Sequence, residues 1–169
     1  ATTFNAIDGL HNATIENKVV ALGMQDVTDI TTKPNYTFLD TGSPHHVELV
    51  NDIDNFNVKQ QGAKIRYSDV YGKEGSNINF VEPETESIFK VRTYERGVED
   101  ETLSCGTGTV AVALSLVNKA LQTSSPVEIN TYGGQLKVHF NKIDQVFSDI
   151  WLEGPAKMVF SGQISVMRA

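Results

Sequence analysis

The segment Ser104-Cys105-Gly106-Thr107-Gly108-Thr109 places the single thiol of the chain at the mouth of an apolar run. A strand-like stretch, Ile88 to Tyr94, and a short loop lead into it, and a helix is expected from Thr107 to Ala120. The free N–H groups and positive end of such a helix stabilise a thiolate, so the cysteine pKa is expected to fall. Glycines at 106 and 108 let the backbone approach a ligand, whose carboxylate the same N–H groups can hold. A lone cysteine is also commonly a small buried hydrophobe, and the residues alone leave both roles open.

A second chemistry fits the same glycines. Gly106-Thr107-Gly108-Thr109-Val110-Ala111 satisfies a loose dinucleotide pattern, with Glu128 at about the expected distance. Against it, Glu128 stands at the start of its strand, and the chain offers β-hairpins instead of repeated βαβ units. No P-loop lysine follows the glycines.

Three further segments carry polar groups. Tyr94-Glu95-Arg96-Gly97 ends a strand with a carboxylate beside a guanidinium, which is either a solvated ion pair or a grip on a ligand carboxylate. Thr41-Gly42-Ser43-Pro44-His45-His46 reads as a tight loop between two strands. Adjacent histidines in extended chain point opposite ways, and His11 and His139 are distant, so metal binding is not expected. Ser76-Asn77-Ile78-Asn79-Phe80 reads as a turn entering a strand.

The elements that position these groups are mostly short strands. Lys18 to Leu22, Tyr36 to Leu39 and His46 to Val50 are β-branched or apolar runs bounded by turn formers. Gln135 to Phe140 alternates with period two, putting Leu136, Val138 and Phe140 on one buried face. Gly133-Gly134 and Ser161-Gly162 mark hairpins, the second between Met158-Val159-Phe160 and Ile164-Ser165-Val166. A polar helix is expected from about Asn55 to Arg66. The Thr107–Ala120 helix is apolar nearly all round and belongs inside a sheet.

The chain has 169 residues, 40% hydrophobic and 21% charged, enough for a real core. Fourteen basic against twenty-one acidic residues leave a formal charge of −7. A nucleic-acid partner is not expected, because no basic cluster would release phosphate counterions. One cysteine excludes an internal disulfide framework and suits a reducing, cytoplasmic setting. The longest apolar stretch is too short to span a bilayer, so no membrane association is expected. The chain opens Ala1-Thr2-Thr3 without methionine and runs straight into a strand, as a piece of a longer protein would.

Taken together, the four segments resemble the diaminopimelate epimerase family. Asp40-Thr41-Gly42-Ser43-Pro44-His45 resembles its Gly-Asn-Pro-His loop, and Ser76-Asn77-Ile78-Asn79-Phe80-Val81 its Thr-Asn-Val-Asn-Phe segment. Glu95-Arg96-Gly97-Val98, with Glu101-Thr102-Leu103-Ser104-Cys105-Gly106-Thr107-Gly108, resembles its Glu-Arg-Gly…Glu-Thr…Cys-Gly-Ser/Thr-Gly signature. The resemblance implies cofactor-independent interconversion of LL- and meso-diaminopimelate, for lysine and peptidoglycan precursors. It implies an α+β fold, an antiparallel β-barrel-like sheet wrapped around a central buried helix, with the active site in a cleft between two such halves.

By resemblance, Cys105 is one of two acid/base thiols, with His45 and Glu95 beside it as catalytic groups. Gly106 and Thr107 would bind the carboxylate at the reacting carbon, while Ser43, Asn77, Glu95 and Arg96 would hold the far end of the diamino acid. Residues 1–26 would be a remnant hairpin of an N-terminal half, 27–157 the C-terminal epimerase domain and 158–169 a terminal strand. The family's other cysteine belongs to that N-terminal half, the implied partner, so the chain alone would be inactive; a homodimer is a further candidate.

Two departures stand out: Ser43 replaces the family asparagine, and the loop from Gly97 to Cys105 is one residue longer, at Glu99-Asp100. Proline and hydroxyproline racemases share the Cys-Gly-Thr-Gly-Thr run but lack the Glu-Arg-Gly lead-in, and phenazine-biosynthesis isomerases lack the thiol. A non-catalytic amino-acid-binding lobe is the alternative outside enzymes.

Overall fold

A computed structural model describes residues 1–165. The described residues are mixed α+β, with one large sheet and two helices. Its strands are β1 (Thr2–Ala6), β2 (Gly9–Glu16), β3 (Val19–Gly23), β4 (Ile30–Thr32), β5 (Tyr36–Asp40) and β6 (Pro44–Leu49), then β7 (Asn77–Pro83), β8 (Ile88–Glu95) and β9 (Asp100–Thr102), and finally β10 (Val127–Thr131), β11 (Gly134–Ile143) and β12 (Val146–Pro155). Helix α1 spans Val58–Arg66 and α2 spans Gly106–Asn118.

The strands follow one another across the sheet as β1-β2-β3-β12-β11-β10-β8-β7-β6-β5-β4, with β9 paired to β8. Most neighbours are antiparallel, but β6 with β7 and β8 with β10 are parallel. Those two pairs correct the expectation of a purely antiparallel sheet. Parallel neighbours need a crossover, and α1 and α2 provide it. Helix-bridged parallel units are therefore present, although not as a repeat.

Alternation along β7 and β8 divides the core in two. Val81, Phe89 and Val91 join the large cluster around α2, whereas Ile78, Phe80 and Tyr94 pack under α1 with Val58. Asn57 caps α1 by accepting from the Gln60 N–H, and a 3-10 turn at Ile53–Asn55 precedes it, so the helix begins later than the expected Asn55. Helix α2 is buried continuously from Gly108 to Val117 and touches β5, β6, β7, β8, β10, β11 and β12. Its apolar surround is what the all-round apolar composition demands.

On β11, Val138 and Phe140 are buried as the period-two pattern requires, while Leu136 is half-buried and closes over Gly154. The expected strand pair at the end of the chain is not formed. Residues 156–165 carry no regular structure, and Val166 to Ala169 lie outside the described residues. Met158, Val159, Phe160 and Ile164 are at least 79% exposed, so none of the described residues covers a strand there. In the described part the hairpin of residues 1–26 joins the sheet through β3, which pairs with β12 and not with the terminal stretch.

Candidate active site

Cys105 is the N-cap of α2, in extended conformation, so its side chain stands at the opening turn. The helix starts there because Gly106 and Gly108 tolerate crowding that a side chain would not. A Cβ on Gly108 would sit 2.5 Å from Asn79 Oδ1 and 3.3 Å from the Cys105 sulfur. The Cys105 carbonyl accepts from the Thr109 hydroxyl at 2.9 Å and its N–H at 2.8 Å. The N–H groups of Gly106, Thr107 and Gly108 are the first of the helix and need partners outside it.

Burial pushes the Cys105 thiol above its ordinary value. The Thr107 hydroxyl and the Gly108 and Thr107 N–H groups pull it down by less, and Glu95 nearby adds to the rise. The expectation of a lowered pKa is thus corrected. Helix-end stabilisation is present, but desolvation of the charged form outweighs it.

Strand β6 delivers His45 to the same place. It is wholly buried, and burial, with Arg96 second, holds it down at about 3. Its Nε2 lies 2.9 Å from Thr107 Oγ1 and 3.0 Å from Ser43 Oγ. Thr107 Oγ1 in turn is 3.5 Å from the Cys105 sulfur. Parallel pairing of β6 with β7 sets Asn77 beside His45. The Asn77 amide donates to Ser43 Oγ at 3.1 Å and to the Pro44 carbonyl at 3.0 Å, and its oxygen accepts the Arg96 N–H at 2.9 Å.

Ser43, His45, Asn77, Arg96, Gly106 and Thr107 are thereby tied into one neighbourhood with Cys105. Glu95 ends β8 with its carboxylate accepting from the Thr102 hydroxyl at 2.9 Å. The Arg96 guanidinium donates to the Glu74 carbonyl at 3.2 Å and forms no ion pair with Glu95 among the described residues. His46, one residue on, faces away: it stacks on Tyr36 and hydrogen-bonds Tyr71 and Glu48. Glu128 opens β10 and accepts from Lys137 at 2.8 Å, remote from the glycines it would have to serve in a dinucleotide site.

Sequence reasoning passed over Asn79, Thr93 and Thr41. Asn79 donates to the His46 carbonyl at 2.9 Å and meets His45 Nδ1 at 3.2 Å, and the Thr93 hydroxyl donates to its oxygen at 3.0 Å. The Thr41 hydroxyl donates to the Thr107 carbonyl at 2.8 Å. The available signal was the two-residue step from Asn77 to Asn79, which puts both on one face of a strand.

The family model described as diaminopimelate epimerase matches residues 37–159, a span that holds all of these groups. The chain belongs to the diaminopimelate epimerase family. The diaminopimelate epimerase of Flavobacterium psychrophilum is 53% identical over 164 residues, covering 96% of this chain and 64% of that protein. That of Chlorobaculum tepidum is 44% identical over 133 residues, 78% of this chain and 51% of that protein. The chain thus spans between about half and two thirds of the length of these curated family members. A solved structure of a probable proline racemase from Agrobacterium radiobacter K84 matches with a TM-score of 0.63 over 98% of this chain and 60% of that one. At 14% identity it is a likeness of fold alone.

Proposed function

We propose that the protein is a cofactor-independent diaminopimelate epimerase that interconverts the LL and meso forms, with Cys105 as one of its two acid/base thiols. The observation that carries the reading is the thiol at the first turn of buried α2, hydrogen-bonded to Thr107 and backed by His45. Inverting a carbon centre requires a base on one face and an acid on the other. A thiolate removes the α-proton, the electron pair is held at the α-carbon and its carboxylate, and a thiol opposite returns a proton. Fixed dipoles must stabilise that charge, and the Gly106 and Thr107 N–H groups would supply them at the carboxylate.

Glu95 and His45 serve beside the thiol, and Ser43, Asn77, Glu95 and Arg96 hold the distal end of the diamino acid. The second thiol comes from the length of the relatives that this chain does not span. In this reading residues 27–157 form the C-terminal lobe, its sheet wrapping α2 as a barrel, and residues 1–26 belong with the N-terminal half. The setting is the cytoplasm, in lysine and peptidoglycan precursor synthesis.

The test is α-proton exchange into deuterated water, measured on this chain alone and after adding an N-terminal half that carries the second thiol. Exchange should be absent in the first case and appear in the second. Full epimerase activity from the chain alone would overturn the two-thiol reading. The racemase alternative shares the fold, so substrate decides: Arg96→Ala, which removes the grip on the distal carboxylate, should cost about 2–5 kcal/mol in diaminopimelate binding. A preference for proline in steady-state kinetics would move the protein to the racemase branch.

A further inference from the structure

We infer that Asn79 is a positioning residue that fixes the tautomer of His45, and through it turns the Thr107 hydroxyl proton onto the Cys105 sulfur. The hydrogen-bond directions can be followed atom by atom. The Asn79 amide nitrogen faces the His46 carbonyl at 2.9 Å, an atom that can only accept, so the amide orientation is set. The oxygen end receives the Thr93 hydroxyl, directly opposite on the paired strand. The second amide hydrogen then points at His45 Nδ1, 3.2 Å away, which must accept.

A neutral imidazole accepting at Nδ1 carries its proton on Nε2. Burial keeps His45 neutral, holding it down at about 3. Nε2–H therefore donates to Thr107 Oγ1 at 2.9 Å, and shares itself with Ser43 Oγ at 3.0 Å. Ser43 reaches the same oxygen from the other side at 3.3 Å, its own oxygen accepting from the Asn77 amide. Asn77 is fixed likewise, since it donates to the Pro44 carbonyl and accepts the Arg96 N–H.

Two amide-anchored chains thus converge on Thr107 Oγ1 as donors. Its own hydrogen is left to face the sulfur at 3.5 Å. The thiolate gains a third donor beside the Thr107 and Gly108 N–H groups, which offsets part of the desolvation that raises the thiol. Gly108 is part of the arrangement, because a Cβ there would strike Asn79 Oδ1.

The inference gives Cys105 the role proposed above, but the test reads the imidazole and the sulfur directly, so it does not depend on epimerase activity. Nitrogen-15 NMR of the full chain should show His45 as the neutral Nε2–H tautomer throughout the neutral range. An Nδ1–H tautomer or an imidazolium would overturn the inference. Thr107→Val should slow Cys105 alkylation at neutral pH on the order of tenfold, the effect of one lost charge-assisted hydrogen bond, with Thr107→Ser restoring it.

Asn79→Asp offers His45 only an acceptor. It should move the proton to Nδ1, turn Nε2 into an acceptor for Thr107, and slow alkylation to a similar degree. Wild-type alkylation rates in Thr107→Val, or an unchanged His45 tautomer in Asn79→Asp, would each overturn it. The wild-type spectrum and the Thr107 pair keep the test decisive if Asn79→Asp fails to fold.

Discussion

His45 has a cost as well as a use. It is wholly buried, its pKa held down at about 3 against 6.5 for a free imidazole, first by burial and then by the Arg96 charge. Between those values the unfolded chain takes up a proton that the folded chain refuses. The contribution is therefore fully present above pH 6.5 and is lost as pH falls towards 3. Each pKa unit corresponds to about 1.4 kcal/mol, so a loss of a few kcal/mol is expected over the whole window. Urea unfolding at stepped pH should show this loss in the wild type and a shallower one in His45→Gln. Equal slopes would mean that His45 does not titrate on unfolding. The residues that share this pocket differ in how visible they were. Cys105, His45 and Asn77 stand in a motif order that can be read. Asn79 could be placed on the same strand face as Asn77, but its partner Thr93, fourteen residues away in sequence, emerges only once β7 is paired with β8. The direction of the thiol shift was not legible at all, since it is set by burial depth.

At the scale of elements, β6, α1 and β7 form a crossover whose tightness depends on Gly62. A Cβ at that position would lie 2.3 Å from the Tyr94 Cβ on β8. Gly62→Ala should therefore destabilise the chain by about 1–3 kcal/mol, although alanine is the better helix former. Thermal unfolding of that variant checks it, and a stabilised chain would show that α1 can lift from the sheet. The β1–β2 hairpin makes a second contact of this kind, where the Asp8 carboxylate closes over Gly42, whose Cβ would meet Asp8 Oδ2 at 2.6 Å. Asp8 is held by His11 Nε2 at 2.9 Å, while His11 Nδ1 lies 2.7 Å from the Gly23 carbonyl. Both ring nitrogens face acceptors, so the ring is favoured in its doubly protonated form. The Gly23 carbonyl first, then Asp8, raises its pKa above 6.5. Its stabilisation is thus present below pH 6.5 and is lost as pH rises through the folded-state value. The melting temperature should show a decline on that alkaline side that His11→Gln lacks; identical profiles would show that the His11–Asp8 pair does not stabilise the fold. The elements themselves were legible in proportion to their local pattern. Strand β11 announced itself by alternation and α2 by its apolar run, but the parallel pairings did not. Nothing local in β6 or β8 says which strand will lie beside it after a helix. The terminal Met158–Phe160 run failed for the converse reason: its residues favour a strand, and no neighbour is supplied among the described residues.

The whole molecule presents apolar surface that its own sheet does not cover. Every residue of edge strand β1 is exposed, and Phe4, Ile7, Leu10 and Ile15 stand 43% or more open on the β1–β2 hairpin. Met158, Val159, Phe160 and Ile164 add a second apolar stretch beyond β12. An unpaired strand edge with apolar side chains recruits another strand, and a patch of this kind marks an interaction surface. Two occupants compete for it: a second copy of the chain, and the additional length that the family members possess. Each copy carries a formal charge of −7, which opposes the homodimer. Salt should then strengthen self-association, because the Debye length falls to about 10 Å at 0.1 M and the repulsion is screened while the apolar contact is not. Sedimentation equilibrium should find a monomer–dimer balance that shifts to dimer as salt rises, and Phe4→Lys with Leu10→Lys should return it to monomer. Adding the N-terminal half should dissolve the dimer into a one-to-one complex if the two compete for the same edge. A chain that stays monomeric at every salt concentration and ignores the N-terminal half would show that the exposed hairpin is not an interface.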